Sequence, residues 1–369
     1  MTQSIGSRDE ILEKLRSFIA EELLFGQDAG LDETTPLLEW GIIDSLTMVS
    51  FLAFIDEQLH VTVPDDEVRP ENFQNLQSLT NLLLRITKEP EKGKDSEGIQ
   101  KSINTGTVVQ VISSYGVRPE LVELPDSEQH ILRVDGKKPA WVLIPALGTP
   151  SISWSEIMRS CVGEQEVIAI DLAGFGMSGP LKTETFTFAD HINETAGVID
   201  KVAQEPIVLI ASSLGTMLAT ELIRRKRNLA KALIVLGFGL IEERQLWWDD
   251  FRKVSKNLDR FTHHAYFQPL SLGVQMKVLL DKAFSVPEYG SFLDKEGLEA
   301  LGKTFDDINL PTLFISGKQD RIISKKMVEM AVSKIPSSKL EWIDECGHFP
   351  QMEKAAEVFS KIKDFLSSL

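Results

Sequence analysis

Residues 205–219 of the chain read EPIVLIASSLGTMLA. Within this stretch, residues 207–210 form a continuous apolar run, which is typical of a strand that a parallel sheet buries on both faces. A serine at a sharp turn from a strand into a helix needs small residues two positions away on each side. Ser213 has Ala211 and Gly215 at those positions. The stretch therefore predicts a strand, a tight turn that presents the Ser213 hydroxyl, and a helix.

Short apolar runs of the same kind recur through the C-terminal part of the chain. They lie at residues 141–144, 167–170, 232–235 and 312–315. Helical patterns separate them, and this alternation predicts a mostly parallel sheet covered by helices. We also expect an earlier hairpin, in which Asp135-Gly136 joins residues 131–134 to the strand at Trp141. A helical insertion is predicted at about residues 240–305. Its aromatic residues are expected either to form a lid over an apolar acyl pocket or to be the core that the helices need in any case.

Two further residues are candidates for activating Ser213. A serine hydroxyl is a weak nucleophile at neutral pH and needs an adjacent base. His348 follows the predicted strand at residues 339–343 and is the candidate base. Asp320 follows the strand that ends at Ile315 and is the candidate acid that orients this base. The chain order Ser, Asp, His is one of the known orders of a catalytic triad.

From Pro145 to the C-terminus the sequence resembles the α/β-hydrolase superfamily, and the resemblance is to its thioesterase-like members. Residues 171–180, DLAGFGMSGP, look like the loop after that family's fourth strand. Residues 347–353, GHFPQME, look like its terminal histidine segment. The resemblance implies an α/β-hydrolase fold and a serine hydrolase mechanism that uses the three candidate residues named above.

The oxyanion-binding loop departs from the family pattern. The family usually has His-Gly after its third strand, whereas residues 145–148 of this chain are PALG. A backbone N–H group needs no particular side chain to bind an oxyanion. The N–H groups of Leu147 and Leu214 are therefore the predicted donors, and the changed sequence leaves the local path of the backbone open.

Other acids and histidines compete for these roles. Asp171 ends a strand, but its glycine-rich surroundings favour a structural loop. Asp344 lies nearer to His348 in the sequence and is interpreted as a surface acid. The remaining histidines are interpreted as loop or surface residues, namely His60, His130, His191, His263 and His264.

The first 87 residues have a different, helical pattern. Ser7 and Glu10 have the spacing of a capping box, and apolar residues then recur every four positions from Ile11. Asp44 is predicted to cap a second helix, a short third helix starts at Pro70, and a fourth covers residues 76–86. These elements predict a four-helix bundle with Ser45 at the opening of its second helix.

Residues 41–46, GIIDSL, lie within a region that resembles the acyl and peptidyl carrier protein family over nearly all of residues 7–87. The resemblance implies that Ser45 carries covalent 4′-phosphopantetheine, whose thiol holds an acyl or aminoacyl group as a thioester. It also implies two partners, a phosphopantetheinyl transferase and a separate acyl- or aminoacyl-activating enzyme. The alternative is that Ser45 only caps a helix.

Charge and composition exclude several classes of function. The net charge is −16, and by count residues 1–88 hold 16 acidic and 6 basic side chains, or −10 of that total. Such a chain repels nucleic acid and is steered towards basic partner surfaces. No apolar run is long enough to predict a membrane span. Cys161 and Cys346 are too few for a disulfide framework, so we expect a cytoplasmic protein, and we expect no metal site.

The two regions are joined by residues 88–104, which are rich in charge, glycine, proline and serine. We therefore expect a multidomain chain with a carrier domain at residues 1–87, a flexible linker, and a hydrolase domain at residues 105–369. A linker of this length spans roughly 20–25 Å on average. The predicted function is to hold an acyl thioester on Ser45 and to release it to water through Ser213.

Three alternatives stay open at this point. The acyl group is passed instead to an amine, alcohol or thiol acceptor, which makes the protein an acyltransferase. Alternatively, the hydrolase acts on a free ester while the carrier serves another enzyme of the pathway. The third alternative is a carrier scaffold without enzymatic activity, and the presence of all three triad residues argues against it.

Overall fold

The computed structural model describes residues 7–23, 31–38, 42–43, 47–64, 67–87, 116–180, 187–255, 265–266 and 292–369. The described residues form two compact units, one that ends by residue 87 and one that begins at Gly116. Each unit has a hydrophobic core of its own. The linker predicted at residues 88–104 lies outside the described residues, as does Ser45.

The N-terminal unit is a helical bundle, as predicted. Its helices are α1 (Arg8–Phe18), which continues as a π-helical turn (Ile19–Leu23), then α2 (Thr47–Leu59), α3 (Pro70–Phe73) and α4 (Leu76–Ile86). The capping box at the start of α1 is confirmed, because the Ser7 hydroxyl accepts from the Glu10 N–H and the Glu10 carboxylate accepts from the Ser7 N–H. These bonds satisfy two helix N–H groups that have no partner within the helix.

The apolar positions of the three longer helices meet in one core. The fully buried ones include Ile11, Leu15, Phe51, Ile55, Leu79 and Leu83. The loop before α3 is held against α4 by Arg85, whose guanidinium donates to both carboxylate oxygens of Glu67 over 2.8 and 2.6 Å. These hydrogen bonds hold the pKa of Glu67 below its usual value.

The second unit is built on one sheet of eight strands, in the order β1-β2-β4-β3-β5-β6-β7-β8. The strands are β1 (Arg118–Glu123), β2 (Glu128–Val134), β3 (Lys137–Ile144), β4 (Gln165–Ile170), β5 (Ile207–Ser212), β6 (Ala230–Leu236), β7 (Thr312–Gly317) and β8 (Ser338–Ile343). Strands β3 to β8 pair in parallel. All five apolar runs lie within these strands, which confirms the mostly parallel sheet.

The predicted hairpin around Asp135-Gly136 is wrong. Strands β2 and β3 do not pair with each other, because β4 lies between them, antiparallel to β2 and parallel to β3. A Cβ atom on Gly136 would lie 2.2 Å from the backbone carbon of Gln165, where β4 begins. Glycine is therefore needed for the chain to cross close over β4. The observed hairpin joins β1 and β2 instead.

Helices accompany the sheet throughout the second unit. They are α5 (Ser155–Cys161), α6 (Phe188–Val202), α7 (Gly215–Arg225), α8 (Arg244–Ser255), α9 (Lys295–Gly302), α10 (Lys325–Lys334), α11 (Pro350–Glu353) and α12 (Ala355–Ser367). Of the insertion predicted at residues 240–305, the structure describes residues 240–255, which include α8, residues 265–266, and residues 292–305, which include α9. The rest of the insertion lies outside the described residues. Trp248 and Phe292 of this insertion are buried in the hydrophobic core. No helix in the described part of the chain is both long and apolar enough to cross a membrane.

Candidate active site

Ser213 occupies a strained turn between β5 and α7. Its φ angle is +48°, a left-handed conformation that is uncommon for residues other than glycine. Its N–H donates to the Leu236 carbonyl over 2.9 Å, which fixes the turn against the end of β6. This is the strand–turn–helix arrangement that residues 205–219 predict.

Gly215 shows why a small residue is required beyond the turn. A Cβ atom there would lie 2.2 Å from the Pro145 carbonyl oxygen and 3.0 Å from the Ile144 oxygen. On the other side of the turn, Ala211 is fully buried and pairs with Ile144. The small residues therefore let the start of α7 pack directly on the end of β3.

His348 joins the other two candidate residues. Its Nε2 lies 2.8 Å from the Ser213 Oγ, and its Nδ1 lies 2.8 Å from the Asp320 Oδ2. The Asp320 Oδ1 accepts from the N–H groups of Ile322 and Ile323, which fixes the carboxylate. The structure thus brings Ser213, Asp320 and His348 together in one hydrogen-bonded chain. Their side chains are almost completely buried.

The loop that carries His348 is held from two directions. The His348 N–H donates to the Ala265 carbonyl over 2.6 Å, so part of the insertion contacts this loop directly. On the opposite side, a Cβ atom on Gly237 would lie only 2.3 Å from the His348 carbonyl oxygen. Gly237 also has a φ angle of +58°. Glycine at this position lets the His348 backbone approach the end of β6.

Replacing Gly237 by alanine is therefore expected to displace His348. We expect a loss of at least about 1 kcal/mol in the free energy of unfolding, because backbone strain and a backbone clash add together. Ester hydrolysis should fall further than the loss of folded protein explains. Thermal unfolding and kcat on an activated ester measure the two effects.

Gly163→Ala is the matched control for that substitution. Gly163 has a φ angle of +77°, but nothing lies within 4 Å of an added Cβ atom. Gly163→Ala therefore introduces the backbone strain of a positive φ angle without a steric clash of the added Cβ atom. If Gly237→Ala and Gly163→Ala had the same kcat, the Gly237 contact would not position His348.

Polar contacts join the loop of His348 to the end of β7. The Gln319 Oε1 accepts from the Cys346 N–H, and the Gln319 N–H donates to the Cys346 carbonyl, each over 3.0 Å. The Glu353 carboxylate accepts from the Gly347 N–H at 3.1 Å.

Burial, reinforced by the carboxylates of Glu353 and Asp320, raises the pKa of the Cys346 thiol. The raised pKa favours the protonated thiol, which is a weaker nucleophile than the thiolate.

The segment that replaces the family's His-Gly is a tight turn. The Thr149 N–H donates to the Ala146 carbonyl over 3.0 Å, and Gly148 has a φ angle of +83°. This combination is typical of a type II turn with Leu147 at its first central position. Within the described residues, the backbone N–H groups of Leu147 and Leu214 donate no hydrogen bond to the chain. In that part of the chain, neither predicted oxyanion donor is taken up by another acceptor.

Two histidines differ from the interpretation of the sequence. His130 is not a loop or surface residue but is buried in β2, and its Nδ1 lies 2.8 Å from the Asp171 Oδ2. His191 is buried in α6. Asp171 also accepts from the N–H groups of Ser151 and Met177. The carboxylate of Asp171 thus organises the loops around it, in agreement with the structural role expected for it.

Asp344 behaves as the sequence suggests. Its carboxylate is exposed and forms an ion pair with Lys318 over 2.7 Å. His348 is instead paired with Asp320, which follows β7. Asp344, which is nearer to His348 in the sequence, is therefore not the acid that contacts it in the structure.

Ser45 lies outside the described residues, but residues 42–43 before it and helix α2 after it are described. Ile43 is buried and its N–H donates to the Leu37 carbonyl over 2.9 Å, while Met48 of α2 is buried on the other side. Of the three residues 44–46 between the loop and α2, only Ser45 has a hydroxyl group. A phosphodiester bond to 4′-phosphopantetheine needs a hydroxyl oxygen, so the residue types in this segment fit the group.

Comparison with known proteins gives a family match for each unit. The phosphopantetheine attachment site family matches residues 13–83. A probable acyl carrier protein, PigG from Serratia sp., is 36% identical over 80 residues, which cover 22% of this chain and 92% of PigG. The N-terminal unit is therefore a carrier domain that takes covalently bound 4′-phosphopantetheine.

The alpha/beta hydrolase family matches residues 141–361, which is more than half of the chain. A 2-hydroxymuconate semialdehyde hydrolase from Pseudomonas sp. is 24% identical over 233 residues, covering 58% of this chain and 81% of that enzyme. The crystal structure of a putative lipase from Acinetobacter baumannii has the same fold, with a TM-score of 0.61 at 18% identity, over 75% of this chain and 98% of the lipase. The chain therefore belongs to the alpha/beta hydrolase family, with a phosphopantetheine-type carrier domain preceding the hydrolase domain.

Proposed function

We propose that the hydrolase domain releases an acyl group that the carrier domain holds as a thioester on Ser45. One observation carries the proposal. The His348 imidazole lies within hydrogen-bonding distance of both Ser213 and Asp320, and the same chain contains a carrier domain. Bound 4′-phosphopantetheine supplies a terminal thiol that holds the acyl group. We also propose the domain limits expected from the sequence, residues 1–87 and 105–369, with residues 88–104 as the linker.

The first half of the reaction forms an acyl-serine. The Ser213 Oγ attacks the carbonyl carbon of the thioester while the His348 Nε2 takes the hydroxyl proton. Negative charge moves to the carbonyl oxygen, where the N–H groups of Leu147 and Leu214 stabilise it. The carbon–sulfur bond then breaks, and His348 returns its proton to the departing sulfur. Throughout, Asp320 holds the imidazole in the required tautomer and stabilises its charged form.

The second half regenerates the serine. A water molecule attacks the acyl-serine carbonyl and gives one proton to the His348 Nε2. The ester bond to Ser213 then breaks, and the same proton returns to the Ser213 Oγ. The products are the free acid and the carrier thiol. An amine, alcohol or thiol in place of the water would give acyl transfer by the same steps.

The contribution of Leu147 has a clean test. Proline is favoured at the first central position of a type II turn and lacks an N–H group, so Leu147→Pro should retain the turn and remove the donor. We expect kcat to fall by about 10² to 10³. Leu147→Met keeps the N–H and the volume of the side chain and should retain most of the activity. Equal kcat values for the two variants would exclude Leu147 as an oxyanion donor.

A second candidate function is ester hydrolysis that does not involve the carrier. It is favoured by the similar proteins, which include one described as a carboxylesterase, CesB from Bacillus subtilis, at 17% identity. The test is to load the chain with a phosphopantetheinyl transferase and acyl-CoA and to follow its intact mass. Loss of the acyl mass with appearance of the free acid supports thioester release. A stable acyl adduct together with rapid ester hydrolysis would favour the second candidate.

A further inference from the structure

The strand that leads to Ser213 and the loop that carries His348 share a second buried contact. The Gln351 Nε2 donates to the Ser212 Oγ over 3.0 Å. Ser212 immediately precedes Ser213, and Gln351 follows His348 by three residues in α11. Ser212 is fully buried and Gln351 is 1% exposed. One internal hydrogen bond therefore links the segments that carry the nucleophile and the base.

The chemistry of Gln351 indicates that its amide serves more than packing. Within the described residues, the Gln351 Oε1 makes no hydrogen bond although it is buried. Burying an unpaired amide oxygen costs free energy that an apolar side chain of the same volume would avoid. The hydrogen bond from the Gln351 Nε2 to Ser212 offsets this free-energy cost. A role in packing alone would be filled better by methionine.

We propose that Gln351 is a positioning residue, which holds the base loop in register with the Ser213 turn through Ser212. The proposal rests on the function proposed above for Ser213. The 2.8 Å separation of the His348 Nε2 from the Ser213 Oγ depends on two segments that lie 135 residues apart in the chain. A displacement of about 1 Å between reacting groups is enough to slow a reaction about a hundredfold. The Gln351–Ser212 bond resists such a displacement each time His348 gains and loses its proton.

Gln351→Met and Ser212→Ala each remove one partner of this bond. The probe is a fluorophosphonate, which reacts with an activated serine and needs no carrier substrate. We expect each single variant to lower the labelling rate constant and kcat for an activated ester about tenfold, with KM changed less than twofold. Each leaves a buried polar group unpaired, whereas the double variant leaves none. The double variant should therefore react no more slowly than the slower single variant.

Ser316→Ala is the matched control. Ser316 is also a buried serine near the C-terminal end of a strand, β7, and within the described residues its Oγ makes no hydrogen bond. We expect this control to label at the parent rate. Should Gln351→Met fail to fold, Ser212→Ala decides the question, because it removes only one hydroxyl group.

The outcomes separate the two proposals. Absence of labelling in the parent would refute the role of Ser213 and, with it, the proposed function. Labelling of the parent together with parent-like rates in both single variants would overturn the positioning role alone. A lower melting temperature without a change in kcat would also overturn it, since that result describes a merely structural bond.

Discussion

Ser213→Ala is expected to leave the acyl group on the carrier and to lower kcat for ester hydrolysis by about 10⁶. The variant removes the nucleophile, while His348 and Asp320 keep their own hydrogen bond. Without the Ser213 hydroxyl, no acyl-serine forms, and the thioester is lost only at its spontaneous rate. Intact mass over time, after loading with a phosphopantetheinyl transferase and acyl-CoA, measures the retention directly.

The control for this experiment is again Ser316→Ala, which removes a buried hydroxyl without touching the three candidate residues. It should lose the acyl group as fast as the parent. Equal retention of the acyl group by the parent and Ser213→Ala would contradict release through Ser213. Rapid loss from Ser213→Ala would point to a different nucleophile.

Ser45→Ala is expected to abolish attachment of 4′-phosphopantetheine completely. The phosphodiester bond needs the hydroxyl oxygen, and alanine has none, so the mass of the chain should not change on treatment with the transferase. Hydrolysis of a small activated ester should stay at the parent rate, because the hydrolase domain has its own fold and core.

The neighbouring hydroxyl provides the comparison for Ser45. Thr47 stands at the start of α2 and offers a hydroxyl group two residues away. Thr47→Ala should take up the cofactor as the parent does. A mass gain in Ser45→Ala, or its loss in Thr47→Ala but not in Ser45→Ala, would assign the attachment to another residue.

Most of the sheet could be predicted because its central strands are buried on both faces. Runs such as residues 141–144 and 207–210 show no polar alternation, which is typical of strands within a covered parallel sheet. The capping box of Ser7 and Glu10 was equally predictable, because both partners lie within one turn of helix.

The hairpin and His130 could not be predicted for the opposite reason. Gly136 has the sequence of a tight turn, but its role is set by its contact with Gln165, which lies far along the chain. His130 is buried because β2 pairs with β4 and brings Asp171 beside it. The residues around His130 in the sequence do not indicate that β4 and Asp171 lie beside it.

The candidate site divides in the same way. The position of Ser213, Asp320 and His348 after predicted strands, together with their order along the chain and the resemblance to a known family, was enough to predict that they come together. Gln351 was missed, because its partner Ser212 lies 139 residues away. The feature that identifies Gln351 is a polar amide in a fully buried position. That burial is known only once the fold is known.

The dependence of acyl loss on protein concentration tests the central claim most directly. Loaded parent protein is diluted over about a hundredfold range, and the rate constant for loss of the acyl mass is measured at each concentration. If the thioester is released within one chain, as proposed, the tether holds it at an effective concentration on the order of mM, far above that of other chains in solution. A first-order rate constant that does not change on dilution is predicted. A rate constant that falls in proportion to dilution, or acyl loss no faster than in Ser213→Ala, would contradict release within one chain.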